Sequence, residues 1–471
     1  MKSLSRITLI VFVVLATMVA ACKKDPPIES EYLDINEFIW DGMNYYYLWY
    51  ENVELLSDNR FESDQDKENY LAPISDHEQF FYSLLYTELD RFSWIVDDYV
   101  ALENYFQGIT VSMGYRYSLF AFGNEVIGVV KYVVKDSPAY NAGLKRGDLF
   151  SLVNGIAITS DNYRNLLGEE FYTLTMATIV DGSLQTTGTV HLTAVEVHEN
   201  PVHYTTVIDA GDKIVGYMYY AGFRSNYEEE LNDAFGEFLT QGVNELVLDL
   251  RYNGGGSVST TAKLGSMIYD TDTNKIFIRK IYNDKYTAWL TEEYGESAFY
   301  WKLKDEISDD QGNTYTLNSL GLDHIYVLAT GSSASASELL INCLRSYIDV
   351  TIIGSTTYGK NVGSMTIKDR DEDGNVNPDH TWAMQPIMSK SSNVDYESEY
   401  YVGFEPDYEV YEDLSNLLPW GDENDPLFKT ALDLIQGISP AKSFDPGPAY
   451  ETVAKSEDTD PWNYEMIDEI F

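Results

Sequence analysis

Cysteine is scarce in this chain: only Cys22 and Cys343 occur among its 471 residues. A disulfide framework is therefore excluded, and stability has to come from large apolar cores, which a chain of this length supplies as two or three domains. Cys343 lies in the apolar run Leu339-Leu340-Ile341-Asn342-Cys343-Leu344 and reads as a small core residue rather than a nucleophile. Positive charge is scarce too. Against 76 acidic residues stand 31 basic ones, a net charge of −45 that would repel phosphate backbones and argues against nucleic-acid binding. Histidine is limited to six positions, 77, 191, 198, 203, 324 and 380. None forms a metal-spaced pair, and no Gly-x-Ser-x-Gly elbow is present, which argues against a zinc site and a Ser-His-Asp hydrolase. Nothing in the motifs calls for a cofactor. The apolar run Ile7–Val19 is too short to span a membrane, which takes about 20 residues.

That run has another use. Lys2 and Arg6 precede it and Ala20-Ala21-Cys22 follows, the layout of an export signal with small residues at the cleavage point. Val19-Ala20-Ala21-Cys22 also resembles the bacterial lipobox, which implies removal of residues 1–21 and lipidation of Cys22. The expectation is a protein held by acyl chains in the cell envelope, at the outer membrane of a Gram-negative bacterium, on its periplasmic or surface face. An ordinary signal peptide with a chance cysteine is the alternative.

Residues 22–33 read as a short tether. Over 34–103, Ile35, Phe38, Ile39 and Met43 recur at helical spacing, and Ser75 with Glu78 forms a capping-box pattern before Phe80, Phe81, Leu84 and Leu85. This predicts a small helical N-terminal region. Residues 104–200 change to strands and turns, with Val126–Val134 rich in β-branched residues and Thr186–Val197 alternating. Between them, Ser137-Pro138-Ala139-Tyr140-Asn141-Ala142-Gly143-Leu144-Lys145-Arg146-Gly147-Asp148 and then Asn154-Gly155 predict a short helix, a glycine stop, a strand and a hairpin turn. This stretch resembles the PDZ signature of bacterial proteases. The resemblance implies a groove near Gly108, Ile109, Thr110 and Val111 that takes a polypeptide by its C-terminus as an added strand. A small β-domain without a ligand remains the alternative. From 202 to 437 strands and helices alternate, predicting an α/β layered domain, and residues 438–471, acidic with Pro440, Pro446 and Pro461, read as a loosely packed tail.

Three small-residue loops follow strands in the α/β region: Arg251–Gly256, Gly331–Ser337 and Thr356–Lys360. Ligand sites in such sheets gather at the C-terminal strand ends. A serine where a strand meets a helix has backbone N–H groups around it that can hold an oxyanion. A lysine buried beside it loses proton affinity and can act as a general base. Ser335 and Lys360 have those positions, although an ordinary helix cap beside a surface lysine fits the spacing equally.

Ser333-Ala334-Ser335-Ala336-Ser337-Glu338 followed by Tyr358-Gly359-Lys360 resembles the carboxyl-terminal processing (tail-specific) serine peptidases. That family places the nucleophile at the middle serine, here Ser335, and the base at the lysine, here Lys360. Its Asp-Leu-Arg-x-Asn loop matches Asp249–Gly256, so the resemblance implies an oxyanion hole from Gly254 or Gly255 with the N–H of Ala336. Weaker matches are Leu89–Ser93, Gly403–Asp407 and Asp425-Pro426-Leu427. The implied fold is a ClpP/crotonase-like spiral α/β catalytic domain beside the PDZ-like β-rich domain. The implied activity is hydrolysis of peptide bonds in polypeptides, with a catalytically inactive peptide-binding lipoprotein or an esterase as the rival readings. One departure stands out: the family's glutamine four positions after the lysine is Ser364 here, leaving the third catalytic role to that hydroxyl or to none. Finally, Asp369, Asp371 and Asp373 copy half of an EF-hand calcium loop, but His380 stands where the bidentate glutamate belongs, which favours an acidic hairpin turn.

Overall fold

The computed structural model describes residues 32–308, 312–439, 443–444, 450–460, 462–464 and 466–467. The export signal, the tether up to Glu31 and the lipidation candidate Cys22 lie outside them. The chain divides into two compact units, one of residues up to Tyr45 with Trp49–Trp94, the other of Tyr46–Leu48 with everything from Ile95 onward.

The first unit is helical, with helices Leu33–Tyr46, Asp64–Leu71 and His77–Ser83. Ile39 and Met43 are fully buried, as their spacing predicts, together with Leu56, Leu71 and Phe81. Asn36 is buried among them because its side-chain amide donates to the Leu71 and Ile74 carbonyls, at 3.0 and 2.8 Å. The predicted cap at Ser75 moves by one residue: Asp76 caps the third helix, accepting the Gln79 N–H at 2.8 Å. Asp90, in the Leu89–Ser93 motif, accepts the N–H groups of Phe92 and Ser93 and so fixes that turn. This unit ends at Trp94, so helix Tyr99–Phe106, assigned to the N-terminal region by sequence, belongs to the second unit.

In the second unit, Tyr115–Phe122, Glu125–Val133, Leu149–Val153, Phe171–Val180 and Ser183–Thr193 form an antiparallel sheet, in that order, around Leu119, Val130, Phe150 and Leu174. Ser137 caps the short helix Pro138–Asn141, and Asn154-Gly155, both with positive φ, make the hairpin turn that their sequence predicts. The next sheet runs Val202–Asp209, Ile214–Tyr220, Glu245–Asp249, His324–Ala329, Asp349–Gly354, Tyr408–Val410, Ser443–Phe444, parallel from the second strand on. Alternate side chains serve two cores. Leu246, Leu248, Ile325 and Val327 pack under helices Glu228–Thr240, Val258–Ile268 and Ala336–Leu344; Val247, Leu328 and Ile353 pack with helix Pro426–Ile435 and with Tyr132 and Val134 of the preceding sheet. The register Asp249↔Leu328 and Ala329↔Gly354 brings the three small-residue loops to one edge. A further sheet orders Gly256–Ser257, Met466–Ile467, Val362–Ser364, Ile387–Ser392, Ile276–Tyr282 and Tyr300–Lys302.

The described part of the 438–471 segment departs from the loose tail its composition predicts. Thr452–Lys455 joins Tyr115–Phe122 as an antiparallel strand, and Met466–Ile467 sits inside the six-stranded sheet. Ala454 and Met466 are buried there, and the acidic Glu457 and Asp460 find basic partners in Lys131 and Arg116.

Candidate active site

The loop Gly331–Ser337 is held from beneath by the loop Arg251–Gly256. Ser333 Oγ donates to the Leu250 carbonyl at 2.7 Å, and the Ala334 N–H and Ser337 Oγ both donate to the Asn253 carbonyl, at 3.1 and 3.0 Å. The chain then turns into helix Ala336–Leu344 through Ser335, whose φ of 62° and ψ of −111° are strained for a residue with a side chain. Such a conformation costs about 1–3 kcal/mol and persists only where neighbours enforce it. Ser335 is fully buried, and its Oγ has no hydrogen-bond partner among the described residues.

Glu338, one turn into that helix and fully buried, is the enforcing group. One carboxylate oxygen accepts the backbone N–H groups of Ser335 and Lys360, each at 2.9 Å. The other accepts Thr357 Oγ1 at 2.6 Å and the Gly359 N–H at 2.7 Å. Sharing one oxygen keeps the Ser335 and Lys360 amide nitrogens within about 6 Å of each other. Burial pushes the Glu338 carboxyl above its ordinary range, against the pull of those four donors. The sequence contains Glu338 only as the last letter of a motif; nothing local shows that it joins two loops.

Lys360 is fully buried as well. Its loop is braced by the Gly403–Asp407 motif. The Thr357 N–H donates to the Phe404 carbonyl at 3.1 Å, the Phe404 N–H donates to Thr357 Oγ1 at 2.7 Å, and Asp407 accepts the Ile352 N–H at 2.9 Å. Ser364, also fully buried, stands in strand Val362–Ser364 opposite Ile387 and Ile467. Of the oxyanion candidates, Ala336 opens its helix, so its N–H has no intrahelical acceptor. The Gly255 N–H is engaged, donating to Asn253 Oδ1 at 2.9 Å, which leaves the Gly254 amide as the better donor on that loop. His324 lies at the start of its strand, the end opposite the serine loop, bonded to Thr351 Oγ1 at 2.9 Å.

Three of the sequence motifs meet in a buried ionic network. Arg251 pairs with Asp249 at 2.7 Å, with Glu412 at 2.9 Å and with Asp425 at 3.0 Å. Arg146, from the Lys-Arg-Gly-Asp turn of the first sheet, joins the same Glu412 at 2.7 Å. Burial alone would raise the Glu412 carboxyl, but the two guanidiniums outweigh it and hold it at about 2. The network ties the loop after Asp249 to the PDZ-like sheet.

The groove candidates Gly108–Val111 fall at strand Ile109–Ser112, paired antiparallel with Val195–His198. Its other edge carries no strand among the described residues, and Val111 is 75% exposed. Asp369, Asp371 and Asp373 form a turn rather than a cage: Asp371 accepts the N–H groups of Asp373 and Asn375, while Asp369 accepts from Asn377 Nδ2 at 2.7 Å. Among the described residues no acidic, histidine or cysteine cluster could hold a metal ion, and no helix is long and apolar enough to cross a membrane.

Residues 214–410 match the model of peptidase family S41, residues 34–94 its N-terminal domain, and residues 129–170 a PDZ domain. A chloroplastic C-terminal processing peptidase of Tetradesmus obliquus is 29% identical over 241 residues, 47% of this chain and 46% of that protein. A protein of Staphylococcus haemolyticus assigned as a CtpA-like serine protease is 24% identical over 241 residues, 50% of this chain and 42% of that one. The match thus spans less than half the length of these relatives. A crystal structure assigned as an S41 protease from Bacteroides fragilis superposes with a TM-score of 0.66 at 27% identity, covering 89% of this chain and all of that one.

Proposed function

We propose, from the premise that this chain is a peptidase family S41 protein with the family's N-terminal domain and a PDZ domain, that it is a serine endopeptidase acting through Ser335 and Lys360. The observation that carries the reading is the single Glu338 oxygen binding the N–H groups of both residues, beside a strained serine whose Oγ has no partner among the described residues. In this mechanism the Lys360 amine takes the Ser335 proton as Oγ bonds to the substrate carbonyl carbon. The resulting oxyanion is held by the Gly254 and Ala336 N–H groups. Collapse breaks the C–N bond, and the lysine returns the proton to the leaving amine. A water, deprotonated by the same amine, then releases the acyl group and restores the serine.

Substrates are polypeptides of the cell envelope, engaged by their C-termini along strand Ile109–Ser112, and Cys22 carries the lipid anchor that places the enzyme there. One observation favours a catalytically silent, peptide-binding relative: Ser364 replaces the glutamine of the resembling family. The test compares wild type, Ser335→Ala and Lys360→Ala on unfolded casein, with mass spectrometry of the released peptides. Cleavage by the wild type alone supports the enzyme. A wild type no faster than either variant refutes it. Labelling with palmitate, abolished by Cys22→Ala, tests the anchor.

A further inference from the structure

Ser335 and Lys360 are both fully buried, so no polypeptide reaches them in this arrangement. Part of what lies over the site comes from the far end of the sequence. Lys455 Nζ donates to Ser332 Oγ in the serine loop at 3.1 Å. Beyond it, Glu457 pairs with the buried Lys131 of the PDZ-like sheet, and Asp460 with Arg116 at 3.1 Å and Tyr105 Oη at 2.9 Å. These contacts anchor the segment. The residues that follow run onto the catalytic loops. Asn463 lies so close to Gly254 that a Cβ there would meet Asn463 Oδ1 at 2.5 Å and the Tyr464 nitrogen at 3.0 Å. The Tyr464 ring stacks on Tyr358, with centroids 4.2 Å apart, on the lysine loop. Met466–Ile467 is a strand parallel to both its neighbours, Gly256–Ser257 on the Gly254 side and Val362–Ser364 on the Lys360 side. Met466 is fully buried there, with Ser391 Oγ donating to its sulfur at 3.1 Å.

The strand Met466–Ile467 lies between two others, and the turn at Asn463 and Tyr464, where Tyr464 has a φ of 70°, sets an amide oxygen against a candidate oxyanion loop. We propose that residues 462–464 and 466–467 form an autoinhibitory strap, a turn and short strand of the chain's own that block the peptide cleft and leave before a polypeptide can bind. This rests on the peptidase reading. The division of labour follows from the contacts: residues 452–460 anchor through four strand residues and two ion pairs, whereas the described strap residues carry no charge and are held by a two-residue strand, the buried Met466, the rings of Trp462 on Tyr105 and Tyr464 on Tyr358, and a hydrogen bond between Tyr464 and Ser332. The strap is thus the part that can open while its anchor stays.

The experiment compares the full chain with a chain ending at Asp460, which keeps the Glu457 and Asp460 contacts, and with full-length Met466→Asp, which loosens the strap without shortening it. Casein hydrolysis and cleavage of a short fluorogenic peptide are the readouts, with folding checked by thermal unfolding. A strap closed nine-tenths of the time lowers apparent substrate affinity about tenfold, so both altered chains should show kcat/KM raised by about that factor or more. A synthetic peptide of residues 461–471 added to the shortened chain should inhibit it competitively. If the full chain is active and neither altered chain, while folded, is faster, the strap is refuted and the peptidase reading stands. A folded shortened chain that loses activity also refutes it, by making the segment part of the site. If no chain exceeds its Ser335→Ala counterpart, the peptidase reading falls and takes the strap with it.

Discussion

Replacing Glu338 by glutamine tests the central geometric argument. The carboxylate accepts four hydrogen bonds in a fully buried site: from the N–H groups of Ser335, Gly359 and Lys360 and from Thr357 Oγ1. A glutamine keeps one acceptor oxygen and turns an NH2 group toward the other two donors. A buried donor left unsatisfied costs about 1–3 kcal/mol, and bonds to a charged acceptor are the stronger kind. Removing a desolvated carboxylate returns part of that cost, since burial already pushes this group upward. The expected loss for Glu338→Gln is about 2–3 kcal/mol, and for Glu338→Ala, which strips all four acceptors, about 3–5 kcal/mol. Activity should fall further than stability. A shift of about 1 Å between the serine and lysine loops is enough to cost about a hundredfold in rate. Urea unfolding gives the stability, and casein hydrolysis under conditions where each variant is folded gives the rate. Ser335→Ala serves as the control that removes the proposed nucleophile while leaving the Glu338 bonds in place. A Glu338→Gln protein within 1 kcal/mol and within about threefold of wild-type rate would refute the claim that this carboxylate sets the site.

Gly359 has φ +93° and a Cβ there would meet the Tyr401 carbonyl at 2.4 Å and the Gly403 nitrogen at 2.7 Å, so Gly359→Ala should cost about 2–4 kcal/mol and abolish cleavage; an unchanged melting temperature would contradict this. Glu412 is held at about 2, below its ordinary 4.5, so its pairs with Arg146 and Arg251 contribute stability that is present above pH 4.5 and is lost as pH falls toward 2. The stability gap between wild type and Glu412→Gln should therefore be larger at pH 7 than at pH 3, and melting curves showing equal gaps would refute the assignment. If a lysine is the general base, cleavage should survive His324→Ala. An inactive but folded His324→Ala would point to a histidine base instead.

Some of the architecture is legible in the residues because local chemistry produces it. Ser137, Gly143 and Asn154-Gly155 build a helix cap, a stop and a hairpin turn within a few positions of themselves. The unbroken apolar run Leu246-Val247-Leu248 announces a strand buried on both faces, and three such strands carry the small-residue loops at their C-terminal ends. The serine, glycine and lysine motifs are contiguous, so a resemblance can be recognised without knowing what they touch. Even there the local rule slips by a residue, Asp76 capping in place of Ser75, because neighbouring side chains can both accept the same kind of bond.

Tertiary structure decided what the motifs do to one another. Glu338 bridges the serine and lysine loops only because two parallel strands stand side by side in register, Ala329 opposite Gly354. Arg146, Arg251, Glu412 and Asp425 come from four separate stretches, and their pairing depends on how the PDZ-like sheet packs against the catalytic core. The Gly255 amide is withdrawn from the oxyanion candidates by a side chain two residues away, a matter of rotamer rather than of sequence type. The acidic, proline-bearing stretch after 438 has the composition of a loose tail, yet its described part supplies one strand to each of three sheets. Composition reports how much apolar surface a segment can bury by itself. Whether a distant groove offers that surface a partner is settled only when the rest of the chain has folded around it.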